Sequence, residues 1–505
     1  MIAKLALRNV VHQPWRTALL FAGFGIGVGV MIVLLAVGAA MLAQASDEKL
    51  VGGGQVTVLP EGLDLEVMKT GGVGGLYFSI PNARFIQRQV LTSPRLALQV
   101  RAVAPAVDGK TLWMRAGTRE WPVRATGEVP SATRAVGAAA TLASGAWVDS
   151  DADRRWMQPT PRELRNELDH FHRPPADRSV TERESWGEWD YVNVLWDGGQ
   201  KWAFLTWMIA GDVPKGRWGA QLIFTLHATG QRARRFTLSV PGRNGSVRYS
   251  TEDADLWIDP GAVQVNDDGS YLFHGVARGE GPDAGRTAAV RITLVSEPRA
   301  YFPGASLGDA TPGGLVSGYA VPALRATASG SICVDGECER LRDAPAYHDH
   351  NWGLWRRVEW EWGEARAGSY AMLFGRVRQA DSSAARAPLF LYLVDSLGFR
   401  ALFRPKSVRW EDRRTIVIDG KRVRVPQRGT MSDIRGADTL LVTLEVDDAV
   451  GTDTRRGLIE RGEHGRARDV PRPYFIQLKG RARITGRLGG VPLDVAGPSF
   501  FETYR

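Results

Sequence analysis

The stretch Thr415-Ile-Val-Ile-Asp419-Gly420-Lys421-Arg-Val-Arg-Val425 decides how the larger part of this chain is read. β-Branched residues run into Asp-Gly and alternate with arginines beyond it. This is the pattern of two antiparallel strands joined by a two-residue turn whose residues take positive φ. The same punctuation returns at Asp197-Gly198, Asp268-Gly269, Asp335-Gly336 and Gly489-Gly490, each between apolar or alternating runs. From about residue 180 onward no helical periodicity interrupts these runs, so the region is predicted to be mainly antiparallel β, in barrels or sandwiches. Its length of roughly 325 residues suits two such domains better than one.

The whole chain has 505 residues, 44% hydrophobic and 24% charged. That suits several packed domains and excludes a collagenous or wholly disordered polymer. A formal charge of +9 is carried by 55 Arg and 9 Lys without a block of like charge, so no nucleic-acid partner is expected.

Thr17 to Ala43 is an uncharged run long enough to cross a bilayer. Lys4, Arg8 and Arg16 precede it, and Asp47 and Glu48 follow it. That asymmetry predicts a single-pass anchor in a bacterial inner membrane, with a cytoplasmic N-terminus and the bulk of the chain extracytoplasmic. A signal peptide cleaved after Ala43-Gln44-Ala45 is the other reading, but the apolar run exceeds the usual length of such a region. Gly23, Gly25, Gly27 and Gly29 include two G-x-x-x-G spacings, which let a second helix approach closely in lipid. Residues 1–45 resemble the first membrane helix of MacB/FtsX-type ABC transporter permeases. The resemblance implies a permease and an ATPase as partners, although no second run of 18 apolar residues follows.

Residues 46–150 read as a small α/β module, with a helix near Ala83 to Leu91 and extended runs at Ala97 to Val103 and Thr111 to Arg115. Asp108-Gly109-Lys110-Thr111 ends like a phosphate-binding loop, but Ala104 occupies a position that needs glycine, and Asp108-Gly109 reads as a hairpin turn. After a charged linker, Thr160-Pro161-Arg162-Glu163 forms a capping box opening a short helix. His170 and His172 near its end read as a surface pair. The domains are therefore placed at 1–45, 46–150, 151–345 and 346–505.

In Cys333-Val-Asp335-Gly336-Glu-Cys338 the two-residue turn sets Cys333 opposite Cys338, within disulfide reach. An extracytoplasmic location would keep that bond oxidised. Free thiols or half a metal site are the alternatives. Gly304-Ala-Ser306-Leu-Gly308 matches a nucleophile elbow, but the residues after it cannot begin a helix, so the match is read as chance.

The chemical centre is Tyr347-His348-Asp349-His350-Asn351-Trp352-Gly353. On a strand, Tyr347, Asp349 and Asn351 share one face and His348, His350 and Trp352 the other. A buried Asp349 beside Tyr347 would serve as a proton donor. On the opposite face two histidines offer metal ligands, but a third is not evident and no metal is expected. The plain structural alternative is that these polar groups tie strands together.

This motif, the following Trp360 and Trp362, the Glu188-Trp189-Asp190-Tyr191-Val192-Asn193 segment and the closing strand resemble the AttH-like/hydroxyneurosporene synthase family, also called carotenoid 1,2-hydratases. The resemblance spans about residues 180–505. It implies two consecutive lipocalin-like β-barrels that bind a hydrophobic small molecule, an isoprenoid or lipid. In the hydratase branch it implies that Asp349 protonates an isolated C=C bond while Tyr347 orients the alkene or water, with no cofactor. His348, His350, Asn351, Trp352, Trp189, Tyr191 and Tyr319 would contact the ligand. Asp190 replaces the family's second Trp, and Ser317-Gly318-Tyr319-Ala320-Val321 lacks the His and Trp of the preceding hydratase strand. Eleven of the 17 tryptophans lie between Trp186 and Trp362, as suits an apolar pocket or a barrel core. Two functions follow: a membrane-anchored, extracytoplasmic ligand-binding protein working with an ABC transporter, or a lyase or isomerase.

Overall fold

The computed structural model describes residues 14–46, 80–137, 148–174, 179, 185–211, 218–242, 245–308, 316–355, 358–379, 389–455, 464–468 and 470–505. Contacts divide the chain into two compact units, Met1–Phe78 with Leu98–Arg154, and Ser79–Ala97 with Arg155–Arg505.

In the first unit, Pro14–Ser46 is one helix. Leu19, Phe21, Phe24, Ile26 and Leu35 lie exposed along it. Among the described residues it alone is long and apolar enough to cross a membrane. Strands β1 (Ala106–Ala116) and β2 (Arg119–Glu128) form a hairpin turning at Gly117, whose φ is +61°. Thr111 to Arg115 thus lies on a strand, while Ala97 to Val103 forms none. Asp108-Gly109 is not a turn: it sits inside β1, where the register slips between Val107 and Lys110, because β2 pairs along the whole run.

The second unit begins with β3 (Trp186–Trp196), β4 (Lys201–Ala210), β5 (Gly219–Ala228), β6 (Arg234–Pro241), β7 (Val247–Tyr249), β8 (Leu256–Ile258) and β9 (Gly261–Val265). It continues with β10 (Tyr271–Gly279), β11 (Thr287–Ser296), β12 (Phe302–Gly308), β13 (Val316–Val334) and β14 (Glu337–Leu354). Eight of these close into an antiparallel barrel in the order β11-β13-β14-β3-β4-β5-β6-β10, with β10 pairing back onto β11. Eight strands leave an interior just wide enough for side chains to fill. Val192, Leu205, Trp207, Phe224, Phe273 and Ile292 fill it. One end is closed by the segment after the helix Pro161–Leu168, whose Phe171 is fully buried among these residues. The capping box forms as read, Thr160 and Glu163 each bonding the other's backbone N–H. Gly304–Gly308 lies on β12, paired with β13, so no strand-to-helix turn exists there.

The second sheet holds β15 (Val358–Ala367), β16 (Tyr370–Gln379), β17 (Phe390–Asp395), β18 (Gly398–Phe403) and β19 (Arg409–Glu411). After the separate hairpin β20 (Arg414–Ile418) and β21 (Lys421–Val425) come β22 (Arg428–Arg435), β23 (Asp438–Asp453), β24 (Tyr474–Leu488) and β25 (Val491–Tyr504). Nine strands run in the order β18-β17-β16-β15-β25-β24-β23-β22-β19. The sheet curls until β18 and β22 meet: the Arg404 amide donates to Asp433 at 2.7 Å, and Arg435 to the Leu402 carbonyl at 3.3 Å. The division at residue 345 falls inside β14, which pairs with β3 and β13 as far as Leu354 and Gly353. The motif strand therefore belongs to the first barrel, because its inward row completes that core.

A third core joins the two sheets. It contains Tyr191, Phe204 and Tyr319 from the first and Trp362, Phe390 and Phe500 from the second. Arg366 of β15 reaches across to donate to the carbonyls of Ala326 and Ala346. The helix Ile80–Thr92 packs here: Phe85 meets Tyr301 edge-on at 5.0 Å, and Gln89 accepts from the Phe399 amide at 3.0 Å.

Cys333 and Cys338 are disulfide-bonded across the β13–β14 turn, with Cα atoms 3.9 Å apart. Asp335 and Gly336 both take positive φ, as an Asp-Gly hairpin turn requires. The bond closes so short a loop that chain entropy limits its stabilisation to about 2 kcal/mol. Replacing both cysteines with alanine is expected to cost no more than that in urea unfolding. A collapse of the first barrel would contradict this.

Candidate functional site

β14 and β3 run side by side, with Asn351 opposite Trp189, Asp349 opposite Tyr191 and Tyr347 opposite Asn193. Directly opposed side chains share a face, and this row faces the second sheet. The intervening row, Trp352 opposite Glu188, His350 opposite Asp190 and His348 opposite Val192, faces the barrel interior. The alternation read from the sequence holds. The residues proposed to contact one ligand are consequently divided: Trp189, Tyr191, Tyr319 and Asn351 share the outer surface with Asp349 and Tyr347, whereas His348, His350 and Trp352 lie behind the strand.

On the outer face, the Tyr347 hydroxyl donates to Asp349 Oδ2 at 2.6 Å and accepts from the Trp362 indole at 2.8 Å. Asn351 Nδ2 donates to Asp349 Oδ1 at 2.6 Å. Burial dominates these favourable bonds and pushes the Asp349 carboxyl up to about 7. Two further carboxyls approach from the second sheet, Glu364 buried and Glu502 half-buried. Glu364 of β15 accepts from Asn193 at 3.5 Å and is pushed by burial to about 8. Glu502 of β25 accepts from the Trp360 indole at 2.8 Å and from Gln477 at 3.2 Å, and burial raises it too. Nothing in the sequence pointed to Glu364 or Glu502, since each needs the second sheet to fold over β14.

Tyr319 lies in the same aromatic layer, edge-on to Trp362 at 4.9 Å and stacked on Phe390 at 5.8 Å. Beside Asn351, the half-buried Trp189, Trp355 and Trp360 pack with centroids 4.6–6.0 Å apart. They form an aromatic cluster that touches the carboxyls through the Trp360 indole on Glu502. A cleft of about 970 Å³ opens elsewhere, lined by Trp196, Lys201, Glu339, Asp447 and Arg481 among others, and includes none of the three carboxyls. Its charged lining suits neither an apolar ligand nor their chemistry, so the site is assigned to the aromatic layer.

On the inner face, the closing segment brings Asp169 and His172 to the motif. Asp169 bonds His350 Nδ1 with one oxygen and His348 Nε2 at 3.1 Å with the other. His350 Nε2 lies 3.0 Å from Glu188, which also accepts from the His172 backbone amide and contacts its ring at 2.8 Å. His172 is thus no surface residue: it is half-buried and stacks on Trp352 at 3.9 Å. Burial opposes the His350 cation, but Asp169 and Asp190 hold it well above the usual imidazole range. Burial pushes Asp190 far above the carboxylate range. The ligand-type partners that the sequence did not reveal for His348 and His350 are therefore Asp169, Glu188 and Asp190.

No family profile matches the chain, and no curated protein matches it significantly. Solved structures resemble it in backbone arrangement. A protein described as AttH from Nitrosomonas europaea is 16% identical, over 63% of this chain and 92% of its own, with a TM-score of 0.42. Kievitone hydratase from Nectria haematococca is 12% identical, over 67% and 97%, with a TM-score of 0.40. CghA bound to Sch210972 is 15% identical, over 63% and 88%, with a TM-score of 0.39.

Proposed function

We propose that this chain is a proton-transfer enzyme, a hydro-lyase or isomerase, acting on an isolated C=C bond of a hydrophobic isoprenoid or lipid. The observation that carries this reading is Asp349: a fully buried carboxyl, raised to about 7, held by Tyr347 and Asn351 inside an aromatic layer. Near neutral pH a group with that value divides between acid and base, which suits general acid–base catalysis.

Protonated Asp349 gives its proton to one alkene carbon, forming a C–H bond and leaving a cation on the other. Water adds there, and its proton passes to the Asp349 carboxylate left by the first step. In isomerisation a neighbouring C–H proton passes to that carboxylate instead, its bonding pair closing the new C=C bond. Tyr347 is the positioning residue that fixes the Asp349 carboxyl. The test compares wild type with Asp349→Asn by native mass spectrometry and lipid extraction of detergent-purified protein. A hydrated or isomerised product with wild type alone supports the enzyme. An unaltered ligand held equally by both would instead identify a carrier.

The same proposal places the protein at the outer surface of an inner membrane, anchored by Pro14–Ser46. The exposed apolar helix and the disulfide support this. Partnership with an ABC permease and ATPase is a second element, resting on the open surface at Gly25 and Gly29. Changing both to Leu is expected to weaken co-purification of a permease, and an unchanged complex would count against it.

A further inference from the structure

The inner face of β14 carries a constellation that proton transfer at Asp349 does not use. Asp190 is 0% exposed, and neither of its carboxylate oxygens has a hydrogen-bond partner among the described residues. A carboxyl without a hydrogen bond in a barrel core is costly to bury, so its retention needs a reason. Two ring nitrogens lie beyond hydrogen-bond reach of it: Oδ1 is 3.8 Å from both His348 Nε2 and His350 Nδ1. Those two nitrogens also face the two oxygens of Asp169. Donor atoms of Asp169, Asp190 and His348 all lie within 4.8 Å of one another.

The outward nitrogens of both rings are occupied in the manner of metal-binding histidines. His348 Nδ1 lies 3.1 Å from the Tyr191 carbonyl, which can only accept, so Nδ1 carries the hydrogen and Nε2 is the atom turned to the carboxylates. His350 Nε2 faces Glu188 at 3.0 Å, leaving Nδ1 turned inward. A carbonyl or carboxylate on the far nitrogen is the usual second partner of a ligating imidazole.

We propose that Asp169, Asp190, His348 and His350 bind one divalent first-row transition ion of the Zn²⁺ class inside the first barrel. Two carboxylate oxygens and two imidazole nitrogens make a mixed set suited to such an ion. Atoms sharing it at about 2.1 Å sit roughly 3.4 Å apart in tetrahedral geometry. The observed 3.1 and 3.8 Å separations need only small side-chain movement. All four residues are fully buried, so the site is closed and structural. On binding, the ion displaces the protons that His348 Nε2, His350 Nδ1 and the Asp190 carboxyl hold towards one another, which leave to solvent, while the His350 Nε2–H stays hydrogen-bonded to Glu188. The ion would pin the closing segment, through Asp169, to β3 and β14.

The test uses full-length protein in detergent, stripped with chelator and titrated calorimetrically with Zn²⁺ and spectroscopically with Co²⁺. One saturable equivalent, visible Co²⁺ bands of a low-coordinate N/O site and a higher melting temperature are expected. Asp190→Asn keeps the shape of an unbonded side chain, so it should fold with unchanged far-UV circular dichroism. It should weaken Zn²⁺ binding by more than about 100-fold, beyond the roughly 10- to 100-fold loss typical of removing an outer partner. Absence of binding by wild type would overturn the proposal, as would equal binding by Asp190→Asn. Binding lost on His172→Ala but kept in Asp190→Asn would place the ion on His172, Glu188 and His350, and would equally overturn the ligand set.

Discussion

Replacing Asp349 with Asn is expected to lower turnover by about 10²- to 10⁴-fold, the usual contribution of a positioned acid or base, while leaving fold and ligand capture intact. The amide fits the site: its oxygen can accept from Tyr347, and its NH₂ can face Asn351 once that amide flips to present oxygen. What is lost is the transferable proton. Tyr347→Phe should have a smaller effect with a distinct signature. The Tyr347 hydrogen bond holds the Asp349 carboxyl down against the larger effect of burial, so removing it moves that carboxyl higher. An acid catalyst works below its pKa, and the alkaline limb of the pH–rate profile should therefore move upward in Tyr347→Phe. A profile that loses amplitude without shifting would make Tyr347 merely structural.

Several features of this architecture were legible because they are local. Strand alternation from Tyr347 to Trp352 depends only on the pleat, and it separates the Asp349 row from the His350 row correctly. Asp335-Gly336 and Asp419-Gly420 form turns because few other pairs tolerate two positive φ values. The same dipeptide failed at Asp108-Gly109, where a longer pairing partner absorbs it as an irregularity within β1. What remained hidden is long-range. β14 reads like the start of a new domain, yet continues the first barrel, because membership depends on which distant strands pair with it. Glu364 and Glu502 are ordinary strand glutamates until their sheet packs against the first and brings them beside Asp349. Asp169, about 180 residues before His350, reaches it only because the closing segment enters the barrel.

A second large effect concerns stability against pH. Burial raises Asp349 from 3.8 to about 7 and Glu364 from 4.5 to about 8. The folded state therefore holds protons that the unfolded chain has released. For groups raised on folding, their contribution is fully present below the unfolded values and is lost as pH rises through the folded ones. Stability should thus fall between about pH 4 and pH 8. Each tenfold gain in proton affinity on folding is worth about 1.4 kcal/mol, so each carboxyl contributes roughly 4 to 5 kcal/mol over that window at most. His350, raised by its carboxylate neighbours, acts in the same direction, whereas Asp169, lowered by His350 and His348 despite burial, acts oppositely and only at lower pH. Differences between variants isolate the pair. Glu364→Gln should unfold in urea with nearly wild-type stability at pH 5 and exceed wild type by a few kcal/mol at pH 9. Asp349→Asn should follow the same course, with its gain beginning about one pH unit earlier. Parallel curves for wild type and Glu364→Gln would mean that Glu364 is not held protonated, and that the carboxyls around Asp349 share their burial with water.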